Sequence, residues 1–321
     1  TALGEDHAAT LMYEFCSHLA LTVEDRLGEA RARWKKLIDR LADTKPIRDL
    51  PEHAKVFYHA GALYACGVLE SWRDSSEALV YAERLTRLGL KLYELSADQV
   101  RMLYYANQGD APRFEHYRER VEMHAIQRGS AWQGETWASG ALITVALRTH
   151  DAVRMKHALE QLRRVARDVP SLSLLVRRAE AAYALLRTKP EALARLGQID
   201  EEAPLAVVGW ARAQGTLARA LNEQGDHAKA REVAERTLAL LSDEDRSFTA
   251  MNLGLEIERA LATAGLGEHG TASELLSALI ARHTQSGGAL TLGALHEARA
   301  RVALAADDDA AFRKHAFEMD R

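Results

Sequence analysis

The chain has 321 residues, 47 % hydrophobic and 27 % charged, with a formal net charge of −4. That balance describes a globular chain and lacks the basic excess that general nucleic-acid binding requires. No apolar run reaches the roughly 18 residues of a membrane span and no signal peptide opens the chain, so a cytoplasmic protein without membrane insertion is expected. With only 6 Pro and 20 Gly in a chain rich in Ala, Leu, Arg and Glu, helix is expected almost throughout, and no sheet.

Taken in order, apolar residues at i, i+3, i+4 and i+7 mark about eight helix–turn–helix pairs, approximately 11–45, 52–93, 97–127, 136–169, 173–200, 211–244, 247–284 and 292–321. The first carries the stripe Ala30, Trp34, Leu37 and ends at a break marked by Pro46 and Pro51. Ala78, Ala82 and Leu85 repeat the stripe in the second, and the third turns at Gly109-Asp110-Ala111-Pro112. The fourth turns at His150-Asp151 and the fifth at Thr188-Lys189. In the sixth, Gly225 can leave a helix in the left-handed region and Asp226 is placed to cap the next one.

Residues 211–244, with Leu217, Ala218, Leu221, Ala230, Val233, Ala234 and Leu238 on two facing stripes, resemble a tetratricopeptide repeat (TPR). Gln214 stands at that family's first-helix Trp position, and its closing Pro is absent. The residue closing each pair recurs at Ala30, Ala78, Phe114, Met155, Ala192, Ala230, Ala272 and Phe312, roughly forty residues apart and longer than the family's unit of about 34. The resemblance implies a TPR-like α-solenoid: a right-handed superhelix, each unit touching its neighbours, with a concave face lined by the first helices. No polar capping helix follows the eighth pair, so the chain reads as a single solenoid cut from a larger multidomain protein.

No catalytic constellation emerges. Gly265-Leu266-Gly267-Glu268-His269-Gly270 has the spelling of a dinucleotide fingerprint, but helix rather than strand precedes it, so it reads as a turn. The histidine pairs His53/His59, His116/His124 and His150/His157 lack metal-site spacing, and His227 reads as structural. Cys16 and Cys66 read as buried free thiols, and Asp307-Asp308-Asp309 as a solvated cap. The expectation is a non-enzymatic chain with no metal and no cofactor.

A candidate ligand surface lies on the first helices of the C-terminal half. Arg219, Arg259 and Arg301 fall at one place in three successive repeats, with Arg177, Arg178, Arg212, Asn222 and Asn252 on the same side. Guanidinium forks match carboxylates and phosphates, so this ladder could hold an acidic or phosphorylated peptide. The alternative is that the arginines pair with Glu223, Glu256 and Glu297. Ala181 and Thr216 occupy positions where the TPR family's peptide-carboxylate clamp needs Lys and Asn. Trp132, Trp137 and Trp210 are expected to wedge between repeats, and Met102, Tyr104 and Tyr105 to be core.

Finally, the stretches 129–137 (Gly129, Trp132 and Trp137 among them), 203–212 (Pro204, Trp210, Arg212) and 290–299 (Leu290, Glu297, Arg299) resemble the C-terminal helical-repeat regions of multidomain bacterial serine/threonine protein kinases. The resemblance implies a signalling effector outside this chain, since kinase motifs are absent from it. The functional expectation is a non-catalytic scaffold docking a peptide or partner protein in its concave groove. The alternative is a ligand- or signal-peptide sensor that changes superhelix pitch on binding. The oligomeric state is open.

Overall fold

The computed structural model describes residues 7–24, 26–43, 47–128, 142–168, 172–187, 210–285 and 287–320. The described helices are α1 (Ala8–Val23), α2 (Leu27–Ala42), α3 (Glu52–Trp72), α4 (Glu77–Arg87), α5 (Lys91–Gln108), α6 (Ala111–Arg128), α7 (142–148), α8 (Ala152–Ala166) and α9 (Ser173–Leu186). They continue as α10 (Trp210–Glu223), α11 (His227–Leu240), the one-turn α12 (Asp243–Arg246), α13 (Thr249–Gly265), α14 (His269–His283), α15 (Ala289–Ala305) and α16 (Asp309–Asp320). Among the described residues there is no strand, only an isolated bridge between His7 and Arg48. The protein is an all-α helical repeat. The start expected for the fourth pair, the second helix expected for the fifth, Ala192, Trp132 and Trp137 lie outside the described residues.

One turn design recurs through the chain. Asp74, Gly109, His150, Gly225, Gly267 and Asp307 each take positive φ just after a helix. The next residue then donates its N–H back to a carbonyl five residues earlier: Ser75 to Glu70, Asp110 to Tyr105, Asp151 to Ala146, Asp226 to Leu221, Glu268 to Thr263 and Asp308 to Ala303. These are Schellman closures, which satisfy carbonyls left over at a helix end. Four of those residues cap the next helix as well. The Oδ1 atoms of Asp110, Asp151, Asp226 and Asp308 accept from backbone N–H groups three residues on, at 3.0, 2.8, 3.3 and 3.0 Å. A helix-ending residue followed by a helix-starting aspartate therefore reverses the chain within two positions. The glycine-rich 265–270 segment is one of these turns.

Small residues set the helix spacing. Ala78, Ala82, Ala97, Ala218, Ala230, Ala234, Ala260 and Ala272 are fully buried where neighbouring helices touch. Larger side chains fill the layers between them, with Trp34, Leu63, Leu69, Leu85, Met102, Ile143 and Met155 buried. The first core cluster runs from Leu11 to Ala182 and then takes in Phe248, Ala250 and Met251 from the base of α13.

That last feature corrects the expectation of neighbour-only contacts: the array closes on itself. The Gly28 N–H donates to Asp245 Oδ1 at 2.8 Å, Arg31 meets Glu244 at 3.2 Å, and Arg73 Nε donates to Ser247 Oγ at 3.0 Å. Thr291 Oγ1 donates to Asp74 Oδ2 at 2.7 Å in a buried contact. Gly288 lies so close to α5 that a Cβ there would fall 2.5 Å from the Gln108 Cα. Thiol placement also departs from expectation: Cys66 is buried, its thiol pushed up to about 12 chiefly by burial, whereas Cys16 is exposed.

Glu70, fully buried on α3, anchors this seam. It pairs with Arg31 at 2.6 Å, Lys35 at 3.1 Å and Arg73 at 3.0 Å. Burial alone would raise its carboxyl pKa, but hydrogen bonds and charge from Arg31 and Lys35 hold it below the usual value. Arg31 and Arg73 carry the network across to Glu244 and Ser247. Removing one partner of a buried ion pair typically costs about 3–5 kcal/mol, because the charges left behind stay desolvated. Glu70→Ala is therefore expected to lose about 3 kcal/mol or more in urea unfolding; a loss below about 1 kcal/mol, the surface-pair range, would contradict the hub.

The last pair carries a histidine contact. His296 Nδ1 and His315 Nδ1 lie 2.9 Å apart with the rings stacked. One nitrogen must accept, so the contact fails when both rings are protonated. Burial, then Arg299 and His296, push His315 down to about 4 from 6.5. The unfolded chain thus binds more protons between those values, and this contribution to stability falls as pH drops from 6.5 toward 4. Melting temperature is expected to decline from pH 7 to 5, less steeply in His315→Gln; parallel profiles would contradict the assignment.

Candidate functional site

The seam encloses a cleft. Its larger part, about 630 Å³, lies between α5 and α6 on one side and α15 on the other, with the α7–α8 turn at its base. Tyr105, Phe114, Val145, Leu290 and Met319 make its walls largely apolar. A smaller cavity of about 110 Å³ adjoins it, walled by α7, α9, α10, α13 and α15. The two share Arg148, His150, Ala294 and Glu297. Pockets that hold small ligands or peptide side chains commonly span about 300–1,000 Å³, mostly apolar with a few converging polar groups.

Charge is concentrated in the smaller cavity. Arg148, Arg178, Arg212, Arg219 and Arg301 line it, against Glu258 and Glu297. Arg219 is heavily engaged: Nε donates to Glu223 at 3.0 Å, Nη1 to the Leu147 carbonyl at 2.9 Å, and Nη2 faces His150 at 3.3 Å. His150 in turn stands 3.7 Å from Glu297. Arg212 donates to the Ala250 carbonyl at 3.2 Å and lays its guanidinium over the Trp72 ring at 5.5 Å. Glu258 is buried, and that burial raises its carboxyl pKa; the Asn222 hydrogen bond, Arg219 and Arg301 pull in the opposite direction.

The residues expected from sequence thus part company. Arg178, Arg212, Arg219 and Arg301 come together in one cavity. Asn222 stands beside it, its Nδ2 donating to both the Glu258 carbonyl and Oε2 at 2.9 Å, while its Oδ1 meets His227 Nδ1 at 3.1 Å. Asn252 is buried and donates to the Asp245 carbonyl at 2.6 Å, which places it in the seam. Arg177 is half-buried on α9, outside the lining of either cavity. Arg259 lines a separate space of about 470 Å³ with Arg73, Arg246 and Arg282.

The turn residues explain the split. Arg219 and Arg301 each precede their left-handed residue, Gly225 and Asp307, by six positions, whereas Arg259 precedes Gly267 by eight. Two residues turn a side chain by about 200° around a helix, so Arg259 faces away and its neighbour Glu258 faces in. The pairing alternative holds in part: Arg219 does meet Glu223, but Glu256 pairs with Arg282 at 3.1 Å. Arg148, His150 and Glu258 also line the small cavity, and the repeat register did not reveal them. Tyr105, expected to be core, faces the cleft and stacks on Tyr117, while Met102 and Trp210 are buried as expected.

Two glycines sharpen the picture. Gly254 on α13 lines the small cavity and Gly293 on α15 lines the cleft, and a Cβ at either would meet nothing within 4 Å. Gly inside a helix costs roughly 1 kcal/mol relative to Ala, and no neighbour here requires it. Both positions keep the space open.

No protein-family model matches the chain, and no curated protein matches it. Among solved structures it is similar to the crystal structure of NprR in complex with its cognate peptide NprX, with a TM-score of 0.58 at 14 % identity over 97 % of this chain and 89 % of that one. At that identity the likeness shows a common fold.

The Asn222–Glu258 contact gives a direct check on the site's internal support. Asn222→Ala leaves a buried carboxylate with one donor fewer, and a stability loss of about 1–3 kcal/mol is expected in chemical denaturation. An unchanged midpoint would mean that Glu258 is held by other groups.

Proposed function

We propose that this chain is a non-catalytic regulatory scaffold that binds a peptide, or an extended segment of a partner protein, in the cleft between α5 and α15. The observation that carries the reading is the pair of mid-helix glycines, Gly293 facing an apolar cleft and Gly254 facing the arginine-lined cavity that adjoins it. A chain pays for such glycines in helix stability, and the room they leave suits a ligand. The fold shared with peptide-bound NprR supports the choice of a peptide. The excess of arginine over glutamate in the small cavity favours an acidic or phosphorylated one. No helix among the described residues is long and apolar enough to cross a membrane. Attachment to a bacterial signalling effector such as a serine/threonine kinase rests on the resemblance of stretches 129–137, 203–212 and 290–299 to kinase-associated repeats.

A sensing role is favoured by where the cleft lies. Its walls come from both sides of the seam, α5 and α6 against α15, so an occupant contacts the two ends of the array together. Binding energy that differs between closed and open arrangements would shift their populations and alter the superhelix.

Selection from a displayed random hexapeptide library tests the reading, run on the parent and on Gly293→Leu. The new side chain projects into the cleft, and the substitution is expected to keep or raise the melting temperature. Peptides enriched by the parent and lost with Gly293→Leu are the expected result. Enrichment unaffected by the blocking substitution, or none with the parent, would contradict it.

A further inference from the structure

Arg148, the last residue of α7, lines both the cleft and the small cavity. Its Nη1 is buried with no hydrogen-bond partner, and no ion pair reaches the side chain among the described residues. Asp74, from the α3–α4 turn, acts on it only through space and is itself taken by Thr291. Burial lowers the Arg148 pKa, and the charge of Asp74 offsets this in part. Its neighbours are committed elsewhere: Arg219 to Glu223 and Leu147, and Arg212 to Ala250 and Trp72. Arg301, exposed at the other wall of the same cavity, likewise makes no hydrogen bond or ion pair among the described residues, although it lies near enough to Glu258 to act on its carboxyl. A guanidinium nitrogen buried without a partner is costly, and it is satisfied where something else supplies the acceptor.

Building on the peptide-binding reading above, we propose that Arg148 and Arg301 together receive a carboxylate of the bound peptide in the small cavity, while the adjoining apolar side chain fills the cleft. Three observations define this ligand. Arg148 lines both spaces, so a charged group and an apolar group about one residue apart can be held together. The small cavity, about 110 Å³, has room for a carboxylate-sized group, since one water needs roughly 10–15 Å³ of such space. Glu258 and Glu297 share its walls, which favours a singly charged carboxylate over a dianionic phosphate.

The test needs no knowledge of the natural peptide. N-acetyl-leucine presents one apolar side chain and one carboxylate, and N-acetyl-leucinamide lacks the charge. Melting-temperature titrations with both are compared for the parent, Arg148→Met and Arg301→Gln, the last at an exposed position that leaves folding intact. The acid is expected to stabilise the parent and the amide not, with apparent affinity for the acid falling about tenfold or more in each variant. N-acetyl-aspartic acid α-amide carries its carboxylate on the side chain; stabilisation by it or by N-acetyl-leucine supports the proposal and tells an acidic residue from a chain terminus. Equal stabilisation by acid and amide, none by any probe, or tighter binding of N-acetyl-phosphoserine amide than of the carboxylates would each overturn it. A carboxylate-dependent shift with no hexapeptide selected would remove the peptide reading and keep the anion site. Selected peptides that bind Arg148→Met undiminished would do the reverse.

Discussion

Closure of the helical array rests on the buried carboxylate of Glu70. One side chain on α3 gathers Arg31, Lys35 and Arg73, and two of these reach across to the α12 region at Glu244 and Ser247. The carboxylate is fully buried and its cationic partners reach partly to solvent, so the arrangement specifies geometry more than it adds raw stability. An open solenoid has no need of it, because each repeat could bury its faces against its neighbours alone. Here the first three pairs and the last three are drawn together, and Phe248, Ala250 and Met251 join the N-terminal core as a result. The cleft lies between elements that this closure brings together: α5 and α15 are its opposite walls, tied near Asp74 and Thr291.

Local order was legible because it depends on neighbours in sequence. The paired turn residues Gly109-Asp110, His150-Asp151 and Gly225-Asp226 combine a helix stop with a helix start, and the structure uses each as a left-handed residue followed by a capping aspartate. Alanine-rich stripes and the absence of alternating apolar runs gave the all-α class for the same reason. The ladder of arginines was legible only where the register was. Arg219 and Arg301 stand equally far from their turns, but Arg259 is two residues out of step, enough to turn it to another face.

The remainder was hidden by distance along the chain. Asp74 and Thr291, like Gly28 and Asp245, are 217 positions apart, and no pattern within a repeat announces their meeting. Arg148 looked like any polar residue at a helix end. Its importance appears only once the cavity around it is seen to hold arginines already in use. Glycine offered a fainter signal: Gly254 and Gly293 sit inside helices with no turn to make, which helix propensity disfavours. A functional site is where such local rules are expected to fail.

The central claim is that the two ends of the array meet and that the cleft depends on their meeting. Spin labels at Val80→Cys on α4 and Leu304→Cys on α15, both exposed positions, in a Cys16→Ser background, report the separation of the two sides of the seam. The account predicts a single narrow distance distribution that broadens when Glu70→Ala loosens the hub. A broad distribution in the parent, unchanged by that substitution, would mean an open array and would remove the cleft along with the functions assigned to it.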